Sequence, residues 1–268
     1  MIRSFTSEWS KLGRRGMIIG GLGTMSFIAI FIAIILFSSA EPAADTPPPS
    51  RPGEQSLPTI ERLAEYDGVL VGFQFAGNLV GIVALVLFAG NLGSEYSQGT
   101  IKVLLSREPR RLRLLLGKLT ALALFVGVGV LIALILQTAC AYAVATGRDL
   151  STQAWLGRDT LVEGAVTLGR VWASATVWGL MGAALAVLFR SAAPSIGIGI
   201  GYTILGEPIV TLVWSDAAKW LPGGALMAFN EGGNPILEFW SAALIMAMYA
   251  IVFAAVALTL FVSRDVTT

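Results

Sequence analysis

The stretch SEYSQGTIKVLLSREPRRLRLLLGK, residues 94–118, separates two long apolar segments and carries six basic side chains. Ile101, Leu104 and Leu105 recur at i, i+3 and i+4, which is the spacing of one helical face. The single proline of the stretch disfavours helix at the residue before it and suits the first turn of a new helix. The stretch therefore predicts a short amphipathic helix over residues 94–107, a break, and a second helix that enters the next apolar segment.

The composition is that of an integral membrane protein. Of the 268 residues, 55% are hydrophobic and 13% are charged, and the mean hydropathy is +0.75. Soluble domains are charged at about a quarter of their positions. The chain has no histidine and a single cysteine, Cys140, so we expect neither an internal disulfide nor a His/Cys metal site. We predict no catalytic residue, metal or bound cofactor on this chain, and no enzyme activity of its own.

The fold class that follows is an all-α integral membrane protein with six spans, since a spanning helix needs about 20 apolar residues. The first segment follows Arg14 and Arg15 and ends near a Ser-Ser-Ala site, so a signal peptide is the alternative. Its apolar core exceeds the usual length of about 7–15 residues, which favours a retained helix. The six predicted spans are 17–37, 69–90, 117–144, 168–189, 193–213 and 237–262.

Charge is divided unequally between the loops. With the N-terminus inside, the inner segments and their flanks carry 12 of the 18 basic residues and four of the 17 acidic residues, a net charge of +8 against −7 outside. Basic residues concentrate on the cytoplasmic side of membrane proteins. We therefore expect a multi-pass protein of the cell membrane with both termini in the cytoplasm.

Two segments outside the spans have their own patterns. The N-terminal segment places Ile2, Phe5, Trp9 and Leu12 at helical spacing, which predicts an amphipathic helix at the lipid interface with its basic side chains toward lipid phosphates. A basic, unstructured start is the alternative. The loop 38–68 is rich in proline and acidic residues, so we expect a flexible, solvated excursion with a short helix near its end.

The motif of the opening stretch resembles the cytoplasmic signature of ABC-2 type permeases, the membrane subunits of ATP-binding-cassette exporters. The resemblance in motif covers residues 94–118, and the number and order of the spans match along the whole chain. The matching residues are Glu95-x3-Gly99-Thr100-Ile101, then Leu104-Leu105-Ser106, then Pro109-x-Arg111-x-Arg113-Leu114-Leu115-Leu116-Gly117-Lys118.

The resemblance implies that residues 94–107 form a coupling helix that docks into an ATPase subunit. It further implies two ATPase copies that bind ATP and Mg²⁺, and a second permease copy as homodimer or as heterodimer with a paralogue. The chain has no G-x-x-x-x-G-K-[ST] motif, so ATP hydrolysis is expected on the partner. A basic hairpin resting on anionic lipid is the alternative. The residues expected to serve ATPase coupling are Glu95, Gly99, Thr100, Ile101, Leu104, Leu105 and Arg111.

A small and polar face runs along the second span: Gln74, Gly77, Asn78 and Gly81 lie at i, i+3, i+4 and i+7. Such faces favour close helix packing and interhelical hydrogen bonds in lipid. The face is either part of the translocation path and the seam between two permease copies, or an ordinary packing surface within one chain.

Two carboxylates have specific predicted roles. Glu207, followed by Pro208 in the fifth span, lies about 20 Å above the start of that span. Ionisable groups at membrane depth are functional candidates, so Glu207 is a candidate outer gate, and the resemblance implies a re-entrant extracellular segment between spans five and six. Glu95 is expected either to cap the cytosolic helix or to pair with Arg111 or Lys118.

The function that follows is ATP-driven export of an amphipathic, lipidic, drug or peptide substrate, with membrane lipids and protein subunits rather than nucleic acid as partners. A secondary transporter is an alternative, although no inverted repeat is evident in the sequence. A non-transport assembly or signalling subunit is a further alternative. A P-loop ATPase encoded by a neighbouring gene would favour the first function.

Overall fold

The computed structural model describes residues 2–44, 58–101 and 111–263, and in these ranges the chain is helical without a strand. Six helices are long and apolar enough to span a membrane, which confirms the predicted number of spans. The fourth begins at Arg158, well before the predicted start at 168. The six are α2 (Arg15–Ser39), α4 (Gly68–Ser97), α5 (Arg111–Gly147), α6 (Arg158–Phe189), α7 (Ala192–Val213) and α9 (Phe239–Ser263). The shorter helices are α1 (Ile2–Leu12), α3 (Ile60–Leu63) and α8 (Pro222–Glu231).

The centre of the bundle is the parallel pair α4 and α6, whose most apolar windows are 67% buried, against 11% for α7 and α9. Glycines let the two backbones approach: Gly182 lies directly on Leu85, and Gly179 lies on the ring of Phe88. A Cβ at either glycine would clash with the other helix, so these glycines set the distance between α4 and α6. α7 and α9 pack on this pair and leave most of their apolar surface exposed, as helices that face lipid do.

α2 packs along α5, and α1 turns back to lie against the first turns of α5. The contact between α2 and α5 is close because Gly129 receives the side chains of Leu22 and Met25. α2 contains a π-helical segment, Ile18–Gly23, near its start. The end of the bundle formed by α1, the end of α4 and the start of α5 is called the basic end below.

The opposite end is closed by polar contacts to helix ends. The Arg148 guanidinium donates hydrogen bonds to the carbonyls of Phe37, Ser38 and Ala40, at 2.6, 2.9 and 3.2 Å, where α2 ends. A basic side chain at a helix C-terminus satisfies carbonyls that lack partners in the helix. The predicted short helix near the end of the outer loop is present as α3, while residues 45–57 of that loop lie outside the described ranges.

The chain between α7 and α9 folds back onto the bundle. α7 contains a π-helical segment, Tyr202–Gly206, and ends at Val213. A short 3-10 turn, Ser215–Lys219, leads into the ten-residue helix α8, which packs against α4, α6 and α9. Leu226 of α8 is fully buried among α4 and α6 residues, so α8 belongs to the core rather than to a surface loop.

Candidate functional site

The predicted coupling helix differs from the structure at its start. α4 continues through Glu95 to Ser97, and the backbone then turns at Gly99, whose φ of 68° favours glycine. Helix resumes at Thr100, whose hydroxyl donates to the Glu95 carbonyl at 3.3 Å. The prediction of one helix over 94–107 that starts at Glu95 is therefore wrong. Glu95 lies in the last turn of α4, where it cannot act as an N-terminal cap.

Glu95 instead belongs to a cluster of four charged side chains, Glu8, Lys11, Glu95 and Lys118, called the ionic junction below. The Lys118 ammonium donates to Glu8 Oε1 at 2.5 Å and to Glu95 Oε1 at 2.6 Å. Lys11 donates to the same two oxygens, at 2.8 and 3.1 Å. The pairing of Glu95 with Lys118, one of the alternatives open from the sequence, is thus observed. The junction ties α1, the end of α4 and the start of α5 together.

Three of the four side chains of the ionic junction are buried, and the side chain of Lys11 is 36% exposed. Lys118 is 1% exposed, Glu8 2% and Glu95 8%. Two carboxylates and two ammonium groups cancel in charge, which such burial requires. Burial alone would raise the pKa of Glu8, but the charges and hydrogen bonds of Lys118 and Lys11 outweigh it and hold the pKa below 4.5. Burial alone would lower the pKa of Lys11, but Glu8 and Glu95 raise it above 10.5. Glu8 and Lys11 therefore stay ionised at neutral pH.

Part of the apolar stripe of residues 94–107 is buried within the chain itself. Ile101 is 2% exposed and packs in the same core cluster as Leu12 of α1 and Leu115 of α5. The expectation that Ile101 serves docking into a partner subunit is corrected by this packing, because the chain itself buries Ile101. Leu104 and Leu105 lie outside the described residues.

Arg111 connects the coupling stretch to the last span. Its guanidinium donates to the carbonyl of Val262 at 3.0 Å, in the final turn of α9. Next to it, the rings of Tyr96 and Phe261 meet edge to face with centroids 6.4 Å apart. The basic end, formed by α1, the end of α4 and the start of α5, therefore also contacts the end of α9. Three spanning helices, α4, α5 and α9, thus have one end each at this side of the bundle.

α1 uses its apolar residues differently from the sequence-based expectation. Leu12 is 1% exposed, and Phe5 packs on the same core cluster, so both face the protein rather than lipid. Glu8 lies on this face between them, and Trp9 is 42% exposed. Residues Ile2–Leu12 are helical, and the inner face of this helix contains Glu8 and Lys11 of the ionic junction; its position at a lipid interface stays a prediction.

The small face of α4 is covered by residues of the same chain. Gly77 lies under the carboxamide of Asn230 in α8, and Gly81 lies under the indole of Trp178 in α6. A Cβ at either glycine would collide with these side chains. Gln74, on the same face, is 6% exposed. The contacts observed at both glycines are those of intramolecular packing; a role of the face in a translocation path stays a prediction.

Three spanning helices hold the turn that precedes α8. The carboxylate of Glu207 accepts the amide of Gly223 at 3.0 and 2.9 Å, while Asn78 donates to the carbonyl of Gly223 at 3.3 Å. The Tyr249 hydroxyl donates to the carbonyl of Trp220 at 2.7 Å. Helices α7, α4 and α9 thus each contribute one side chain, and these three side chains are called the α8 clamp below. The predicted gate residue Glu207 is buried and binds the N-terminus of α8, where a carboxylate meets the helix dipole favourably.

Several of these residues were missed from the sequence. Glu8 carries a readable signal, because it lies at i+3 from Phe5 and i−4 from Leu12, in the middle of an apolar face. A carboxylate at such a position needs a buried cation, and Lys118 is a lysine within an apolar run. Tyr249 and Asn230 carry no comparable signal, since their partners are brought close only by the return of α8 into the bundle.

In the described ranges no three His, Cys, Asp or Glu side chains lie together in a way that could hold a metal ion. The polar contacts described above are ion pairs and hydrogen bonds to the backbone. These arrangements can position helices and transmit displacement.

The comparison with known proteins gives a family. The chain matches no curated protein. The sequence model of a family described as "Protein of unknown function (DUF2705)" matches residues 27–267, which include all six spanning helices except the first turns of α2. Because this match covers most of the 268 residues, the chain belongs to the DUF2705 family.

Proposed function

We propose that the chain is the membrane-spanning subunit of an ATP-binding-cassette exporter, driven by two copies of a separate ATPase. The observation that carries the proposal is the ionic junction beside residues 98–110. It ties α1 to the end of α4 and the start of α5, the two helix ends that flank this segment, through charge-neutral contacts. A displacement of this segment would be passed to several spanning helices together, which is what an external motor requires.

The charge distribution supports the orientation of the proposed permease. The basic end would lie in the cytoplasm, with both termini inside and α3 outside. α1 would lie along the inner surface of the cell membrane, with exposed Trp9, Arg14 and Arg15 toward lipid head groups. α8 would be a re-entrant helix, because ten residues are about half of what a span needs and its residues pack within the bundle.

Glu207 would act near the outer side of the membrane during the transport cycle. Its bond to Gly223 fixes the N-terminus of α8, so release of this contact would free α8 to move away from α4. The ATPase step at the basic end and the α8 clamp are connected by α4, which carries Glu95 at one end and Asn78 nearer the other. The proposed cargo is amphipathic, lipidic, a drug or a peptide, and the second permease copy would contact exposed spans rather than the covered glycines of α4.

The test is co-expression of the chain with a candidate ATPase, followed by pull-down and ATP turnover in lipid nanodiscs. Burial of an apolar side chain contributes about 1.5–3 kcal/mol, so Leu104→Asp/Leu105→Asp should weaken ATPase binding by roughly a hundredfold or more. The matched control is Arg113→Ala, which removes an exposed basic side chain and should change binding by less than about tenfold.

Arg111 is unsuitable as a control because it holds the end of α9. Membrane insertion of the double variant is checked by fluorescence size-exclusion chromatography. If insertion is normal, a lower pull-down yield reports weaker ATPase binding. Full-strength ATPase binding by an inserted double variant would contradict the proposal. The lipid-bound hairpin would then be favoured, along with the non-ABC alternatives.

A further inference from the structure

The loop between α8 and α9 bounds a cavity at the end of the bundle opposite the basic end. Residues 232–240 line this cavity, whose volume of about 680 Å³ lies within the roughly 300–1,000 Å³ of small-molecule sites. Gly232 and Gly233 direct the loop with φ angles of 80° and 106°, which favour glycine. A Cβ at Gly232 would also clash with the guanidinium of Arg170. The backbone path of the loop therefore creates the cavity, and no movement of α8 is needed to open it.

The aromatic wall of the cavity consists of Phe239 and Trp240. The Phe239 ring is already covered, because it stacks on Phe229 with centroids 5.4 Å apart and the Arg170 guanidinium lies 5.2 Å from its centre. Trp240 meets the Phe239 ring at its edge and is 70% exposed. The indole of Trp240 is therefore the aromatic surface that a ligand in the cavity can cover.

The charges around the cavity favour a cation. Glu238 is the single charged residue among the nine that line it, and its side chain is exposed. Arg170 is not one of the nine; it pairs with Glu163 at 2.9 Å, and its unpartnered Nε atom is buried, out of reach of a ligand in the cavity. With Glu231 at the end of α8, three carboxylates and one guanidinium give this region a net charge of −2. A concave site with a field of this sign concentrates cations.

A strip of exposed apolar side chains leads from the cavity along α9. Trp240, Leu244, Met248 and Ile251 lie at i, i+4, i+8 and i+11, which is one face of a helix, and they are 49–73% exposed. An alkyl chain that lies along this strip would carry its head group directly into the cavity. A small ion without an apolar part would leave the strip unused.

We propose that this cavity binds single-chain cationic amphipaths, with the ammonium group between the carboxylate of Glu238 and the indole of Trp240, and the chain along α9. Ammonium groups bind over the face of tryptophan because the ring presents a negative quadrupole. The binding itself needs only the geometry of the loop. The role of the cavity as an exit site for exported cargo rests on the proposed function, and it narrows the proposed cargo to cations.

The experiment uses the full chain in dodecyl maltoside micelles, with Cys140→Ser and a reporter thiol at Ile236→Cys in the cavity wall. Its labelling by N-ethylmaleimide, a neutral reagent, is timed with three ten-carbon probes: decyltrimethylammonium, decyl sulfate and decanoyl-N-methylglucamide. Mass action leaves about one site in eleven free at ten times the dissociation constant, so decyltrimethylammonium should slow labelling about tenfold. The other two probes should leave the rate unchanged. A second reporter, Pro235→Cys, repeats the measurement in case the first variant folds poorly.

Two variants, each with a matched control, locate the bound cation. Glu238→Gln removes the charge at nearly constant shape and should raise the dissociation constant of decyltrimethylammonium about two- to fivefold. Glu41→Gln removes another exposed carboxylate from the same end of the bundle and should leave the constant unchanged. Trp240→Leu keeps an apolar side chain but removes the ring, and it should raise the constant about two- to fivefold. Trp214→Leu, at a tryptophan that is 60% exposed elsewhere, should leave it unchanged.

Equal slowing by all three probes would reduce the effect to partitioning into the micelle and would overturn the proposal. Stronger protection by decyl sulfate would overturn it as well, since Arg170 would then attract the ligand. Equal losses in Glu238→Gln and Glu41→Gln would assign the effect to surface charge in general and contradict a site at Glu238.

The last arm separates cargo from bulk lipid. Dioctanoylphosphatidylcholine carries the same ammonium beside a phosphate that the carboxylates repel, so it should protect the reporter less than decyltrimethylammonium; equal protection would make the cavity a lipid head-group site and contradict the proposal. No ATPase is present in this assay. A chain that fails to bind an ATPase but shows selective protection would therefore remove the exporter function and keep the site.

Discussion

Loss of the buried ammonium of Lys118 should be the most damaging single change at the basic end. Lys118→Met keeps the length of the side chain and leaves the carboxylates of Glu8 and Glu95 with Lys11 alone. In the ion pair with Lys118 the side chains are 2% and 3% exposed. Breaking a buried pair by removing one partner costs about 3–5 kcal/mol, because the remaining charge stays desolvated. We expect a loss of that order in unfolding free energy.

The matched control is the exposed pair of Lys219 with Asp216, whose side chains are 45% and 67% exposed at a similar distance of 2.8 Å. Lys219→Met should cost about 0–1 kcal/mol. Both variants are measured by SDS titration in mixed micelles, followed by circular dichroism. Addition of Glu8→Gln to Lys118→Met should restore part of the loss, since it removes one unpaired charge. The reasoning fails if Lys118→Met costs no more than Lys219→Met.

Three further predictions concern pH, the α8 clamp and orientation. Because folding lowers the pKa of Glu8, its contribution to the unfolding free energy is present above pH 4.5 and is lost as the pH falls through the folded pKa. The unfolding free energy from SDS titrations between pH 7 and acid pH should therefore decrease more steeply for wild type than for Glu8→Gln. Gly223→Ala places a methyl group against the Glu207 carboxylate that the Gly223 amide binds, and it should lower the unfolding free energy by about 1–3 kcal/mol in the same titration. In the control Gly197→Ala the methyl group points into open space and should raise the unfolding free energy by up to about 1 kcal/mol. Equal changes in the two variants would contradict the packing. Cysteines at Ser151 and Ser97, both exposed, should react with an impermeant thiol reagent from outside only at Ser151, and the reverse pattern would exclude the proposed orientation.

The spanning helices could be read from the sequence because each needs only a local run of apolar residues. Only part of the ionic junction could be predicted from the sequence. Lys118 and Glu95 were candidates for a pair, since both lie in the same charged stretch, but Glu8 is distant in sequence and its helix resembles a lipid-facing one. Its true environment depends on α1 folding back against α5, and local periodicity contains no information on that contact.

The same limit explains the error at residues 94–107 and why the sequence left two interpretations of the α4 face open. Ile101 forms part of an apolar stripe, and a stripe does not say whether its own chain or a partner covers it. Gly77 and Gly81 form a close-packing face, and such a face is the same whether the neighbour is α8 or another copy. Glu207 stands out in the sequence because it is a carboxylate within an apolar span, but its partner Gly223 lies beyond a turn whose path only the structure shows.

The central claim is that the segment between α4 and α5 docks into an ATPase, and in-cell photo-cross-linking tests it most directly. A benzoylphenylalanine is placed at Leu105 in the full chain, with Leu124, exposed midway along α5, as the lipid-facing control. The account predicts a cross-link from Leu105 to a chain that mass spectrometry identifies as a P-loop ATPase, and none from Leu124. Cross-links from Leu105 to lipid alone, in cells that express the ATPase, would contradict it.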